Sequence, residues 1–176
     1  MRRILKLIGL EPKGPEADDD AIRRIADELD RLDPERARYV AAFAYILSRV
    51  ARADQEVSPA ETAVMERIVM EKSGLPRDQA IIIVQMAKTQ HLVLGGTDDF
   101  TVTREFDRRA THVQKLALVD CLFAVSASDD SILTVEDNEI VKVARELKIE
   151  HADVVRLRSR YRDKLEAGRE WRSESL

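Results

Sequence analysis

Asp54-Gln55-Glu56-Val57-Ser58-Pro59-Ala60-Glu61 carries more structural information than any other segment of its length in the chain. An apolar run with helical spacing precedes it and another follows, so it reads as a joint between two helices. Within it, Ser58-Pro59-Ala60-Glu61 has the form of a capping box. Ser58 is the N-cap, Pro59 the first helical residue and Glu61 the third, the position from which a side chain returns to the helix start. The pattern recurs 75 residues later as Asp129-Asp130-Ser131-Ile132-Leu133-Thr134-Val135-Glu136. Each copy has an Asp, an aliphatic residue three positions on and a Glu seven positions on, which predicts an internal duplication. With Asp54 set on Asp129, Val57 falls on Ile132, Glu61 on Glu136, Met65 on Ile140 and Ile68 on Val143. A shift of one residue would instead place Asp130 on Asp54 and Thr134, an N-cap type of residue, on Ser58. The first register keeps the downstream apolar positions aligned and is preferred.

Helices extend outward from both joints. Asp33-Pro34 predicts an N-cap and first helical position for a helix through Tyr39, Val40, Phe43, Ile46, Leu47 and Val50. The cations around Arg36, Arg38, Arg49 and Arg52 read as its solvated face. After the first joint come Val64, Met65, Ile68 and Val69, with Gly74 placed to end that helix in a left-handed conformation. Pro76 opens another, through Ala80, Ile83, Val84 and Ala87. Its Ile81-Ile82-Ile83-Val84 run favours strand by propensity but has helical flanks. Gly95-Gly96-Thr97-Asp98-Asp99 reads as a turn between the halves, since a phosphate loop needs a Gly-Lys-Ser/Thr ending and a preceding strand. A short helix is expected over 104–109, then one over 112–126, one after the second joint with Ile140, Val143, Ala144 and Leu147, and a closing one over 151–165. The fold class is all-α. The division expected is an N-terminal arm, linker and helix over 1–34 (the helix carrying Ile22, Ile25, Ala26, Leu29 and Leu32), a helical domain over 35–166 and a polar tail over 167–176.

Composition narrows the function. Charged residues at 35% with only 6 Gly and 5 Pro suit helices joined by short turns. Aromatic residues at 5% predict a core of Leu, Ile, Val and Ala rather than of stacked rings. A net charge of −4 argues against nucleic-acid binding, which needs a basic face. Lone Cys121, inside an apolar run, reads as a buried structural thiol, and a single cysteine fits a cytoplasmic protein. The opening Met1-Arg2-Arg3-Ile4-Leu5-Lys6-Leu7-Ile8-Gly9-Leu10 is interrupted by Lys6 and has no cleavage site after it. It reads as a short amphipathic segment that docks on the domain, with contact to a membrane surface as the lesser alternative.

The joints hold the candidate chemistry. Each presents carboxylates at the end of one helix and in the first turn of the next. Such groups repel unless a cation or basic group lies between them. An oxygen-rich set suits calcium, magnesium or manganese, whereas zinc favours His or Cys. On spacing alone, helix capping is favoured over metal ligation and suffices to explain Ser58 and Glu61. The Asp-to-Glu spacing is too short for an EF-hand loop, and His91, His112 and His151 form no metal-helix motif. No serine sits in a nucleophile elbow, so no catalytic residue is nominated. His112 reads as capping or packing at a helix start. Asp120, inside an apolar helix, is expected to meet a structural polar partner.

Ala51-Arg52-Ala53-Asp54-Gln55-Glu56-Val57-Ser58-Pro59-Ala60-Glu61 with the helix Met65 to Gly74, and Asp129 to Glu136 with Ile140, Val143-Ala144-Arg145-Glu146-Leu147 and Ile149-Glu150-His151-Ala152-Asp153, resemble the TerB-like family of tellurite resistance. The resemblance covers roughly residues 35–165. It departs from the family in having Gln55 and Asp130 where glycine often follows the Asp. It implies a duplicated helical bundle with an acidic surface and a metal-binding role, related to domains on some membrane-anchored J-domain co-chaperones. Carried over, Asp54, Glu56 and Glu61 match the first acidic site, and Asp129 and Glu136 the second. The expectation is a non-enzymatic module in a tellurite or stress response. It would bind a divalent cation (calcium, magnesium, manganese or zinc) or a protein partner. A membrane-peripheral or co-chaperone-like adaptor and a carboxylate-metal enzyme are the alternatives.

Overall fold

The computed structural model describes residues 25, 27–50, 59–93, 99–129 and 131–165. The expectations for segment 1–10, the linker, the loop around Gly95 and the tail over 167–176 fall outside these residues. Of the first predicted helix, residue 25 and residues 27–30 are described and helical, and Leu29 is buried in the core.

Helix α1, Pro34–Val50, begins as the sequence predicts. Asp33 Oδ1 accepts from the backbone N–H of Glu35 at 2.9 Å and of Arg36 at 3.2 Å, satisfying two donors that the first turn leaves unpaired. From Tyr39 to Ser48 every residue is buried, so α1 is apolar all round, as a central helix must be. Its alanines at 41, 42 and 44 leave room for neighbours to approach closely. Helices α3 and α4 pack along it, with α5 and α6 completing its surround.

Helix α2, Pro59–Ser73, ends where expected. Gly74 has φ +66°, and its N–H bonds to the Met70 carbonyl at 3.0 Å. Glycine is suited here because a Cβ raises the energy of the left-handed region. Leu75 then drops into the core, and α3, Arg77–Val93, starts. The Ile81–Val84 run is helical, because Ile82, Ile83, Val84 and Ala87 bury against α1 and α2. Burial outweighs the few tenths of a kcal/mol per residue by which β-branching disfavours a helix.

Helix α4, Asp99–Arg109, begins five residues before the predicted start at 104. Thr101, Val102 and Thr103 are poor helix formers. Val102, Thr103 and Phe106 are nevertheless buried, which holds the first turn helical. Three rings meet there: Tyr39 stacks on Phe106 at 5.1 Å, and Phe43 meets Phe106 edge-on at 6.2 Å. Few as they are, the aromatics therefore do pack on one another in the core.

Helix α5, His112–Ser126, is the second central helix. Thr111 and Gln114 form a reciprocal capping box, with Gln114 N–H to Thr111 Oγ1 at 3.3 Å and Thr111 N–H to Gln114 Oε1 at 2.8 Å. A 3-10 turn over Ala127–Asp129 follows, then α6, Thr134–Glu146, and α7, His151–Ser159. The N-cap of α6 is Leu133 rather than Thr134. The closing helix stops at Ser159 instead of reaching 165. The chain turns back so that Ile132 N–H bonds the Lys164 carbonyl at 2.7 Å, and both Ile132 and Leu165 are buried.

Helix α2 packs on α5, and α6 packs on α5 and on α1. Helix α6 also ends in a left-handed residue, Lys148 at φ 57°, followed by buried Ile149, as Gly74 is followed by Leu75.

Candidate functional site

The acidic joints are the candidate site, and the structure describes them unequally. Asp54 and Glu56 lie outside the described residues. Glu61 sits exposed in the first turn of α2, where a carboxylate favours the positive end of the helix dipole.

At the second joint the frame is well determined. Ser128 Oγ donates to the Val125 carbonyl at 2.6 Å, tightening the 3-10 turn that Asp129 closes. Ile132, the aliphatic position of the motif, is fully buried and tied to Lys164. Glu136, half-buried, accepts the Leu133 N–H on Oε2 at 2.8 Å. It thus makes the return half of a capping box, while Leu133 has no polar side chain to supply the other half. Glu136 therefore has a structural duty at the helix start. Asp129 has its backbone placed at the end of the 3-10 turn.

Among the described residues, no group of three His, Cys, Asp or Glu is arranged to hold a metal ion. Glu61 and Glu136 open different helices, so a cation site at either joint has to draw on further acids in residues 51–58 or 129–130. The donor set there is carboxylate oxygen, which fits hard divalent cations.

Carboxylates that point inward elsewhere are neutralised by lysine or arginine. Arg49, read from sequence as part of a solvated face, is instead buried, its side chain only 4% exposed. Its Nε donates to Glu139 Oε1 at 2.8 Å, and its Nη1 to Glu146 Oε2 at 2.8 Å and to Thr103 Oγ1 at 2.7 Å. The cluster ties α1 to α4 and α6. The sequence did hold a signal for it: Arg49 follows Tyr45 and Ile46 by four and three positions, on the apolar stripe. Glu139 and Glu146 flank Val143 at one heptad spacing. Burial would raise the Glu146 pKa, but hydrogen bonding and charge from Arg49 bring it below the ordinary value.

Asp120 meets the structural partners expected of it. Lys72 Nζ of α2 reaches Oδ2 at 3.1 Å, and the Tyr161 hydroxyl donates to Oδ1 at 2.8 Å. The Tyr161 ring stacks on Phe123 at 5.6 Å. Burial pushes the Tyr161 hydroxyl above its usual pKa, so it stays protonated as the donor. Asp107 is bound by Lys115 and by Lys148, the latter at 2.6 Å, and Asp137 by Arg158 through two bonds of 2.8 and 2.7 Å. Burial opposes ionisation of Asp107, yet the two lysines hold its pKa below the usual range.

The remaining reactive side chains are inert or exposed. Burial pushes the Cys121 thiol up to about 12, which removes the thiolate needed by a nucleophile. His112 occupies the first position of α5, but Thr111 is the cap. The ring is mostly exposed, with Nε2 3.3 Å from Asp153 Oδ2. Among the described residues, no helix is long and apolar enough to cross a membrane.

No curated protein and no solved structure matches the chain. A family model does match, over residues 40–159, and its description is tellurite resistance protein TerB. The match takes in both acidic joints, most of α1, all of α5, the Arg49 cluster and the Lys72–Asp120 pair. The chain belongs to the tellurite resistance protein TerB family.

Proposed function

We propose that this chain is a non-enzymatic binding module of the cytoplasm, acting in tellurite or stress response, whose acidic joints bind a divalent cation. The single observation carrying this reading is the family match across residues 40–159, which spans both joints. The neutralised interior supports it. Asp107 and Glu146 are held in the ionised form by their cations, the reverse of what a general acid near neutral pH requires. Cation binding is therefore sought at the joints: Asp54, Glu56 and Glu61 in the first, Asp129 and Glu136 in the second. Each joint offers only carboxylate oxygens, a hard donor set, so calcium, magnesium or manganese is favoured over zinc.

Calorimetry of the chelator-treated chain against calcium, magnesium, manganese and zinc tests this reading. Saturable binding is expected, weakened by Asp54→Asn and by Asp129→Asn. Absence of saturable binding by all four metals sinks the cation reading. The joints would then serve as an acidic surface for a basic protein partner.

A further inference from the structure

An open groove of about 670 Å³ runs between residues 25–31 and α3, and neither Glu61 nor Glu136 is among its described lining residues. Ile25, Ile81 and Ile82 supply its apolar lining, and Asp27, Glu28 and Asp78 its acids. Arg31, the one cation among its described lining residues, is engaged with Glu28. Asp27 and Asp78 are exposed, and neither has an ion-pair partner among the described residues. The groove therefore selects an occupant that is aliphatic on one side and basic on the other.

The chain contains such an occupant. Met1-Arg2-Arg3-Ile4-Leu5-Lys6-Leu7-Ile8-Gly9-Leu10 interleaves five aliphatic residues with three cations and has no acid. Its tether begins at the groove, because Ile25 is itself a lining residue. The 14 residues 11–24 between them reach at most about 50 Å when extended, and far less is needed. A tether of this length gives an effective concentration in the millimolar range, which a second copy or a separate partner at micromolar concentration does not match.

We propose that residues 1–10 dock in this groove, with the aliphatic side chains on Ile25, Ile81 and Ile82 and the basic ones facing Asp27, Glu28 and Asp78. Docking covers the apolar lining and withholds the basic segment from anionic surfaces. The inference is independent of cation binding at the joints.

Paramagnetic relaxation on the full chain tests it. A nitroxide on Ile4→Cys reports position, while Cys121 is fully buried and stays unlabelled in the folded protein. The expected result is loss of amide signals over 27–31 and 78–85, with no such loss when labelled chain is mixed with isotope-enriched unlabelled chain. The pair Asp27→Lys and Asp78→Lys, both at exposed positions, is expected to restore those signals while the helical circular dichroism stays unchanged. Unaffected groove amides, or signal loss that persists in this variant, overturn the proposal. Loss in the mixed sample overturns it in favour of a second copy. Co-sedimentation with phosphatidylserine vesicles, with the groove amides unaffected by the label, overturns it in favour of a lipid surface.

Discussion

Arg49 of α1 and Glu146 of α6, 97 residues apart in sequence, meet at 2.8 Å with the arginine side chain almost wholly buried. The pair has a counterpart of opposite polarity in the other half. There Lys72, in the last turn of α2, reaches Asp120 of α5 at 3.1 Å. In each case the end of one half's second helix is tied to the other half's first helix.

Replacing Arg49 by methionine keeps much of its volume and leaves Glu139 and Glu146 with only the exposed Lys142, 3.6 Å from Glu139, as a nearby cation. Breaking a buried pair from one side costs about 3–5 kcal/mol, whereas a solvated arginine would change stability by less than about 0.5 kcal/mol. Urea unfolding of Arg49→Met is expected to show a loss near the lower end of the first range, since Glu139 retains some exposure. Adding Glu139→Gln and Glu146→Gln should recover part of it.

Acid should weaken the fold through the same groups. Asp107 and Glu146 have folded pKa values below their ordinary values of 3.8 and 4.5. The stability they contribute is therefore complete above the unfolded-state carboxylate range and is lost as pH falls through the folded values. A urea midpoint followed from pH 6 downward is expected to hold until about pH 5 and then fall. Asp107→Asn should lower the plateau and make the acid limb shallower. An unchanged limb would show that Asp107 is not depressed.

The two left-handed positions predict opposite signs. Gly74→Ala puts a Cβ at φ +66° with nothing nearby to clash, so the cost is conformational, about 1–2 kcal/mol. Lys148 at φ 57° already bears that cost, offset by its bond to Asp107. Lys148→Gly should exceed Lys148→Ala in stability by about 1 kcal/mol, because both lose the ion pair and only glycine relieves the backbone. Thermal or urea melts of the three variants give the comparison.

Cys121 should resist alkylation at pH 8 in the folded chain. Its thiol is fully buried, and its pKa is pushed up to about 12. Iodoacetamide labelling read by mass is expected only once urea unfolds the protein. Rapid labelling without denaturant would place the thiol at the surface.

Local rules made several features legible in the sequence. Asp33-Pro34 and Gly74 announce a helix start and a helix stop because capping and left-handed backbone involve only neighbouring residues. The Thr111–Gln114 capping box that starts α5 is equally local, but the sequence reading passed over it and looked to His112. The stop at Ser159 was not legible, since it depends on Leu165 returning to Ile132. Nor was the early start of α4, where burial of Val102 and Phe106 prevails over weak helix propensity.

The candidate site divides in the same way. Apolar residues recurring at three and four positions carried the all-α class, and the Asp-aliphatic-Glu spacing marked the second joint and the resemblance to the TerB family, which the match over residues 40–159 then bore out. Only the tertiary structure decided that Glu136 holds the Leu133 N–H, that Asp120 is met by Lys72 and Tyr161, and that Arg49 lies inside the bundle. A charged side chain reads the same in sequence whether it meets water or an opposite charge. Its role is set by desolvation and by partners dozens of residues away, which packing brings within hydrogen-bonding distance.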